Sequence, residues 1–196
     1  MIRFFDIVFS LVGLIILSPL FLLISIWVKI DSPGPVFFKQ VRVGLNGSDF
    51  HLIKFRTMFM NSDRKGLLTV GNSDYRVTSA GYFLRKFKID EFPQLLNVFI
   101  GEMSIVGPRP EVRKYVEMYT SDQRIVLTVR PGITDYASIK YRFENEVLAK
   151  SENPEKSYIE VIMPEKLSLN MKYIQDQSVF QYFKIIGLTF YHLLKR

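Results

Sequence analysis

Asp90 and Glu91 are adjacent carboxylates. Arg85 and Lys88 precede them, and Gly107-Pro108-Arg109-Pro110 follows fewer than twenty residues later. Two side-by-side acids at the expected start of a helix are most simply read as a cap, because free backbone donors and the positive end of the dipole favour negative charge there. The neighbouring cations suggest more. Arg109 stands between two prolines, so its backbone has little freedom, and a guanidinium matches phosphate oxygens with a two-toothed fork. Carboxylates beside guanidiniums make a metal-assisted phosphate site the functional reading of this block. Other familiar phosphate-binding and hydrolytic motifs are missing. The sequence has no Walker A or G-x-G-x-x-G run, no D-x-D pair, no G-x-S-x-G and no H-E-x-x-H. With no cysteine it has no thiolate nucleophile or thiolate metal site, and His51 and His192 stand alone, as packed or surface residues.

The elements that must hold this block can be read from pattern. Residues 36–43 and 49–57 alternate like strands around Leu45-Asn46-Gly47-Ser48, a hairpin turn. The ribbon carries Lys39, Arg42, Lys54 and Arg56. These are solvated edge-strand cations or, equally, contacts to lipid headgroups or a substrate phosphate. Residues 61–74 read as a loop and 79–87 as a short helix. The next helix runs from Asp90 to about Ile100, with Pro93 in its first turn and Gly101 ending it. Residues 104–110 read as a stiff loop, 111–118 and 121–129 as helices, 130–134 as a turn, and 140–165 as a charged, irregular stretch. From Lys166 onward the chain reads as one or two amphipathic helices. Phe180, Phe183, Ile186, Phe190 and Leu194 recur at helical spacing, which suits a membrane interface or a soluble core equally.

The N-terminal stretch narrows the class. No residue from 7 to 28 is charged, and a run of ~20 apolar residues is long enough to cross a bilayer. With Asp6 in front and no small-residue cleavage site behind, it reads as retained rather than as a cleaved signal. Ser18-Pro19 falls in its middle. Two half-helices would each rise about 16–18 Å, too little for a hydrocarbon core of about 30 Å. The residues alone therefore leave two topologies open: a kinked spanning helix, or a re-entrant hairpin that enters and leaves on one face. A net charge of +7 on 196 residues suits anionic lipid or phosphorylated substrates. Nucleic acid is disfavoured, because the basic residues form no single cluster.

Taken in order, these motifs resemble the bacterial sugar transferases, the small monotopic polyprenyl-phosphate phosphoglycosyl transferases. The resemblance rests on Ile89-Asp90-Glu91-Phe92-Pro93-Gln94-Leu95-Leu96-Asn97-Val98 and on Gly101-Glu102-Met103-Ser104-Ile105-Val106-Gly107-Pro108-Arg109-Pro110. Lys54-Phe55-Arg56-Thr57-Met58, Arg130-Pro131-Gly132-Ile133-Thr134 and the Ser18-Pro19 break also match. The order holds over nearly the whole chain. It implies an α+β, mainly helical fold: a re-entrant helix–break–helix over residues 1–30, then a cytoplasmic-face catalytic domain over 31–196 with a small β-hairpin and interfacial helices around the site. It also implies the transfer of a sugar 1-phosphate from a UDP-sugar to polyprenyl phosphate at the bacterial inner membrane, with homodimerisation left open. In that frame Asp90 is the nucleophile and binds Mg2+, with Glu91 as its partner. Arg109 and Arg85 bind phosphate, and Lys54, Arg56 and Arg130, inside matched motifs, are further substrate-binding candidates. Asp135-Tyr136-Ala137-Ser138 departs from the Gly-Trp-Ala-Gln that many relatives carry, as does Asn170 from their Asp, which leaves the sugar unassigned. The rival reading is a non-catalytic membrane-anchored protein whose basic face binds anionic lipid or an acidic partner.

Overall fold

The computed structural model describes residues 1–60, 62 and 74–195. The loop expected at 61–74 lies outside the described residues except at Ser62 and Asp74. A 30-residue helix, α1 (Ile2–Asp31), leads into an antiparallel hairpin of β1 (Phe37–Val43) and β2 (Asp49–Phe55). Its register runs from Phe37 opposite Phe55 to Val43 opposite Asp49. The turn tightens into a 3-10 turn in which Asn46 and Gly47 take positive φ (55° and 76°), the geometry that the Asn-Gly pair supplies at low cost. Next come α2 (Ser79–Lys86) and α3 (Gln94–Ile100), the latter stopped by left-handed Gly101 as expected.

α1 is helical throughout, and its backbone shows no interruption at Ser18-Pro19, where one was expected. The pair explains itself chemically. Pro19 has no N–H for the Ile15 carbonyl, and the Ser18 hydroxyl donates to that same carbonyl at 2.8 Å. One face of α1 packs inward through Asp6, Ser10, Ile24 and Val28, while the rest of the helix is not buried. Both of its ends are tied to the same globular body. Near the start, Asp6 Oδ1 accepts from Ser104 Oγ (3.0 Å), Ile105 N (2.9 Å) and Tyr182 OH (2.9 Å). At the other end, Ile24 and Val28 pack on Phe55 and Leu84, and Asp31 Oδ2 accepts from Ala80 N at 3.1 Å.

Two short segments that the sequence suggests are loop and turn form a parallel pair, β3 (Ser104–Val106) with β4 (Gly132–Thr134). Gly107 and Gly132 are required where they meet. A Cβ on Gly132 would lie 2.1 Å from Gly107 N, and one on Gly107 would lie 2.5 Å from Arg130 O. The helix expected at 111–118 shrinks to α4 (Arg113–Val116), and 121–129 holds a 3-10 turn, Gln123–Thr128. α5 (Tyr136–Lys140) leads into the stretch expected to be irregular, which contains α6 (Glu144–Ala149) and α7 (Pro154–Ser157), then a π turn, Tyr158–Ile162, that runs into α8 (Met163–Gln175). Its main core gathers Val43, Tyr115, Tyr158, Leu148 and Leu167. The last helix, α9 (Val179–Leu194), buries Tyr182 and Ile185. The expected stripe divides: Phe180, Phe190 and Leu194 face outward, 74%, 62% and 85% exposed, while Phe183 rests on Phe5 and Phe9 of α1 and Ile186 packs against the core. The architecture is mainly helical with a small hairpin.

Candidate active site

Asp90 and Glu91 do not open an α-helix, as the sequence suggests. They occupy a 3-10 turn, Ile89–Glu91, just before Pro93, the residue preceding α3. The turn is set by Lys88, a non-glycine residue in the left-handed region (φ 58°, ψ 17°). Such a conformation costs on the order of 1 kcal/mol and persists only where the surroundings impose it.

The two carboxylates have opposite environments. Glu91 is gripped by cations: Lys54 Nζ donates to Oε1 at 3.0 Å, Arg109 Nη1 donates to Oε2 at 3.1 Å, and Arg109 Nη2 donates to Oε1. Burial alone would raise its pKa, but Arg109 and Lys54 outweigh burial and hold it well below the usual carboxylate range. Asp90 is 7% exposed, and its Oδ1 has no hydrogen-bond partner among the described residues. Burial, then the adjacent Glu91 charge, raises its pKa, against the pull of Lys54, Arg85 and Lys88. Glu91 therefore spends its charge on positioning cations, while Asp90 keeps an oxygen in reserve.

Of the expected phosphate ligands, Lys54, Arg85 and Arg109 line one cavity with the dyad. Arg85 is held at the end of α2 by Thr57 Oγ1, which accepts from its Nε at 3.1 Å. Arg109 is held twice, by Glu91 through its fork and by Asp135 Oδ2, which accepts from its backbone N at 3.0 Å. Asp135 is fully buried and also caps α5 through Ser138 N. In the sequence Asp135 stands out only as a departure from the family pattern, although an Asp three residues before a Ser at a helix start is a recognisable cap signal.

Two expected ligands are taken up by protein oxygens instead, although Arg56 borders the same cavity. Arg56 is 3% exposed, and all five of its N–H donors are spent. Nε donates to Pro35 O (2.6 Å), Nη1 to Ser32 Oγ (2.7 Å) and Pro33 O (3.0 Å), and Nη2 to Ser32 O (2.8 Å) and Val28 O (3.2 Å). It closes the end of α1 and has nothing left for a phosphate. Arg130 is an exposed residue outside the cavity lining, and its Nε donates to Gly101 O at 2.9 Å, past the end of α3. His51 is exposed on β2, and the ring of His192 lies against Tyr191.

The cavity, about 2220 Å³, exceeds the usual 300–1,000 Å³ of a small-ligand pocket. Phe9 and Leu17 of α1 and Phe183, Ile186 and Phe190 of α9 line part of it, and the remainder mixes apolar side chains with the charged ones. No group of three or more His, Cys, Asp or Glu among the described residues could hold a metal unaided. Asp90 Oδ1 nevertheless fits a cation that takes its other oxygens from a phosphorylated substrate, the habit of Mg2+.

A family model described as bacterial sugar transferase matches residues 1–196. The UDP-N-acetylgalactosamine-undecaprenyl-phosphate N-acetylgalactosaminephosphotransferase of Aeromonas hydrophila is 40% identical over 144 residues, covering 72% of this chain and 34% of that protein. The UDP-glucose:undecaprenyl-phosphate glucose-1-phosphate transferase of Escherichia coli is 37% identical, covering 94% of this chain and 38% of that protein. The exopolysaccharide production protein ExoY of Sinorhizobium fredii is 43% identical over 155 residues, covering 71% of this chain and 69% of that protein. The chain thus spans little more than a third of the length of the first two relatives. On the match over its whole length, this chain belongs to the bacterial sugar transferase family.

Proposed function

We propose that the protein transfers a sugar 1-phosphate from a UDP-sugar to a polyprenyl phosphate through a covalent intermediate on Asp90. The observation that carries this is the asymmetry of the dyad: a buried Asp90 with one unpartnered oxygen beside a Glu91 locked to Lys54 and Arg109. An Asp90 oxygen bonds to the sugar-linked phosphorus and the bond to UMP breaks. A lipid phosphate oxygen then bonds to that phosphorus and the Asp90–phosphorus bond breaks, releasing polyprenyl-diphosphate-sugar. Splitting the transfer in two lets a soluble and a lipid substrate use one centre in turn. Arg109, held in place before substrate arrives, offsets charge developing on the phosphoryl oxygens, and Lys54 and Arg85 add to that field. Asp90, with the substrate's phosphate oxygens, would hold Mg2+, which supplies further charge neutralisation when bound.

The apolar side chains of α1 and α9 in the cavity wall suit a lipid acceptor, and the cation-rich part suits a diphosphate. A monotopic placement, with both ends of α1 on one face of the membrane, is supported by the anchoring of α1, and a soluble UDP-sugar donor makes the cytoplasmic face the fitting one. Thirty helical residues extend about 45 Å. If α1 crossed the bilayer straight, the body bound at both its ends would have to cross with it. Cysteine replacing Ile2 and cysteine replacing Glu152 are therefore expected to react with an impermeant maleimide only after cell lysis. Labelling of position 2 in intact cells would refute this placement.

The activity is tested by release of UMP from UDP-sugars by membranes carrying the protein, with and without added polyprenyl phosphate. The expected result is release coupled to formation of a lipid-linked sugar diphosphate. Its pH dependence is a second check. Asp90 must be ionised to attack, so activity falls as pH drops through its raised pKa. Glu91→Gln removes a neighbouring negative charge and should move the acid limb of kcat/KM to lower pH. Lys54→Met removes a cation and should move it to higher pH. Limbs that stay together in both variants would detach the titration from Asp90.

A further inference from the structure

Beyond the dyad, the same cavity is lined by a second group of charged side chains that the mechanism above does not use. Arg42 comes from β1, Glu111 follows Pro110, Glu144 opens α6, Tyr158 opens the π turn and Lys166 lies on α8. They form one connected network. Arg42 Nη1 lies 3.5 Å from Glu111 Oε2, and Tyr158 OH donates to Glu111 Oε1. Lys166 Nζ lies 3.0 Å from Glu144 Oε2, 3.8 Å from Glu111 Oε1 and 3.5 Å from Tyr158 OH. Lys166 is 9% exposed and Tyr158 2%. Burying such charges costs desolvation that apolar packing would avoid, so stability alone is a poor reason for them.

Position and charge say what the network suits. Arg42 Nη1 also donates to Pro110 O at 3.1 Å, joining the network to the loop that carries Arg109. Glu111 is two residues beyond Arg109, roughly 6.6 Å along an extended chain, about the reach of a hexopyranose ring from its own phosphate. Two cations face two carboxylates, so the group is neutral overall yet rich in both donors and acceptors. The dyad end, with Lys54, Arg85 and Arg109 around it, suits a diphosphate. The neutral end suits an uncharged polyol, whose hydroxyls both give and accept hydrogen bonds. Ser138 Oγ is a second, separate pointer. It belongs to a cavity-lining residue and is buried without a hydrogen-bond partner among the described residues.

We propose that the Arg42–Glu111–Tyr158–Lys166–Glu144 network beside the Arg109 loop is the sugar-reading subsite, taking the hexopyranose of the nucleotide sugar and selecting among its epimers. This rests on the transferase reading. A site built to hydrogen-bond a substrate hydroxyl rejects analogues that lack or misplace it far better than an apolar wall does. The test measures kcat/KM for UMP release from UDP-glucose, UDP-galactose, UDP-N-acetylglucosamine and UDP-N-acetylgalactosamine. It compares wild type, Glu144→Gln and Lys166→Gln as full chains in lipid nanodiscs, each with its thermal midpoint. The expected result is that the preference for the best over the second-best sugar falls tenfold or more, while inhibition by UMP stays within twofold. Glu144 is partly exposed and, among the described residues, bridged only to Lys166, so Glu144→Gln carries the test if Lys166→Gln fails to fold. Preference ratios unchanged within twofold, with all four donors slowed alike, would make the network a scaffold and overturn the subsite alone. A wild-type protein that releases UMP from no nucleotide sugar would overturn the transferase reading itself.

Discussion

Asp90→Asn is expected to lower turnover by roughly 10⁴-fold or more, the scale seen when a nucleophile is removed from a covalent mechanism, and at the same time to make the protein more heat-stable. The first effect follows because an amide of the same size cannot form the acyl phosphate. The second follows from the environment of the carboxylate. Burial and the Glu91 charge raise the Asp90 pKa, so at neutral pH the ionised group is disfavoured in the folded state relative to the unfolded chain. For a carboxylate with a raised folded pKa, this penalty is absent below the unfolded value and grows as pH rises through the folded value. The midpoint advantage of Asn over Asp should therefore be largest at neutral and mildly basic pH and vanish in acid. Mass spectrometry supplies the direct check: wild-type protein quenched with a UDP-sugar and no lipid acceptor should carry a phosphosugar on Asp90. Near-full turnover by Asp90→Asn, with no adduct on the wild type, would leave Asp90 as an ordinary buried acid. A lower midpoint at neutral pH would contradict the electrostatic account.

The dyad was legible because its chemistry is local: two acids, flanking cations and a proline-locked arginine announce themselves by type and spacing. The hairpin and α1 were legible for the same reason, through alternation, Asn-Gly and an unbroken apolar run. What the sequence hid is what depends on contact between distant segments. β3 and β4 are three residues each, and the pairing of Ser104 with Gly132 leaves no periodic trace. The stripe on α9 has the same spacing whether it meets a core or a membrane, and only the burial of Tyr182 and Ile185 shows which face is inside. Asn153-Pro154 is a helix-start signal inside the stretch expected to be irregular. Asn153 Oδ1 accepts from Lys156 N at 3.0 Å, but the charges around it masked a helix only four residues long.

Arg56 shows most clearly why composition and motif position were insufficient, and it leads to the other large expected effect. A cation on a strand beside the dyad looks like a phosphate ligand until its acceptors are counted, and those acceptors come from the turn after α1. Arg56→Lys keeps the charge but offers three donors where five are used, so at least two of the five contacts to Val28, Ser32, Pro33 and Pro35 are lost, and among the described residues only Val28 O keeps another donor, Ser32 N. Hydrogen bonds to a charged group contribute roughly 1.5–3 kcal/mol each. The expected loss is therefore several kcal/mol, a large part of the roughly 5–15 kcal/mol by which domains are stable. Chemical denaturation in detergent should show it, along with faster proteolysis near residues 32–36, where the brace holds α1 to the hairpin. In the fraction that stays folded, KM for the UDP-sugar should remain within about threefold, since Arg56 has no donor to give a phosphate. Arg109→Lys should act on transfer instead, lowering it by roughly 10²-fold, because the lost fork is what fixes this cation against Glu91 beside the reacting phosphate. An Arg56→Lys protein with wild-type stability and a selectively raised KM would return Arg56 to the substrate and remove it from the brace.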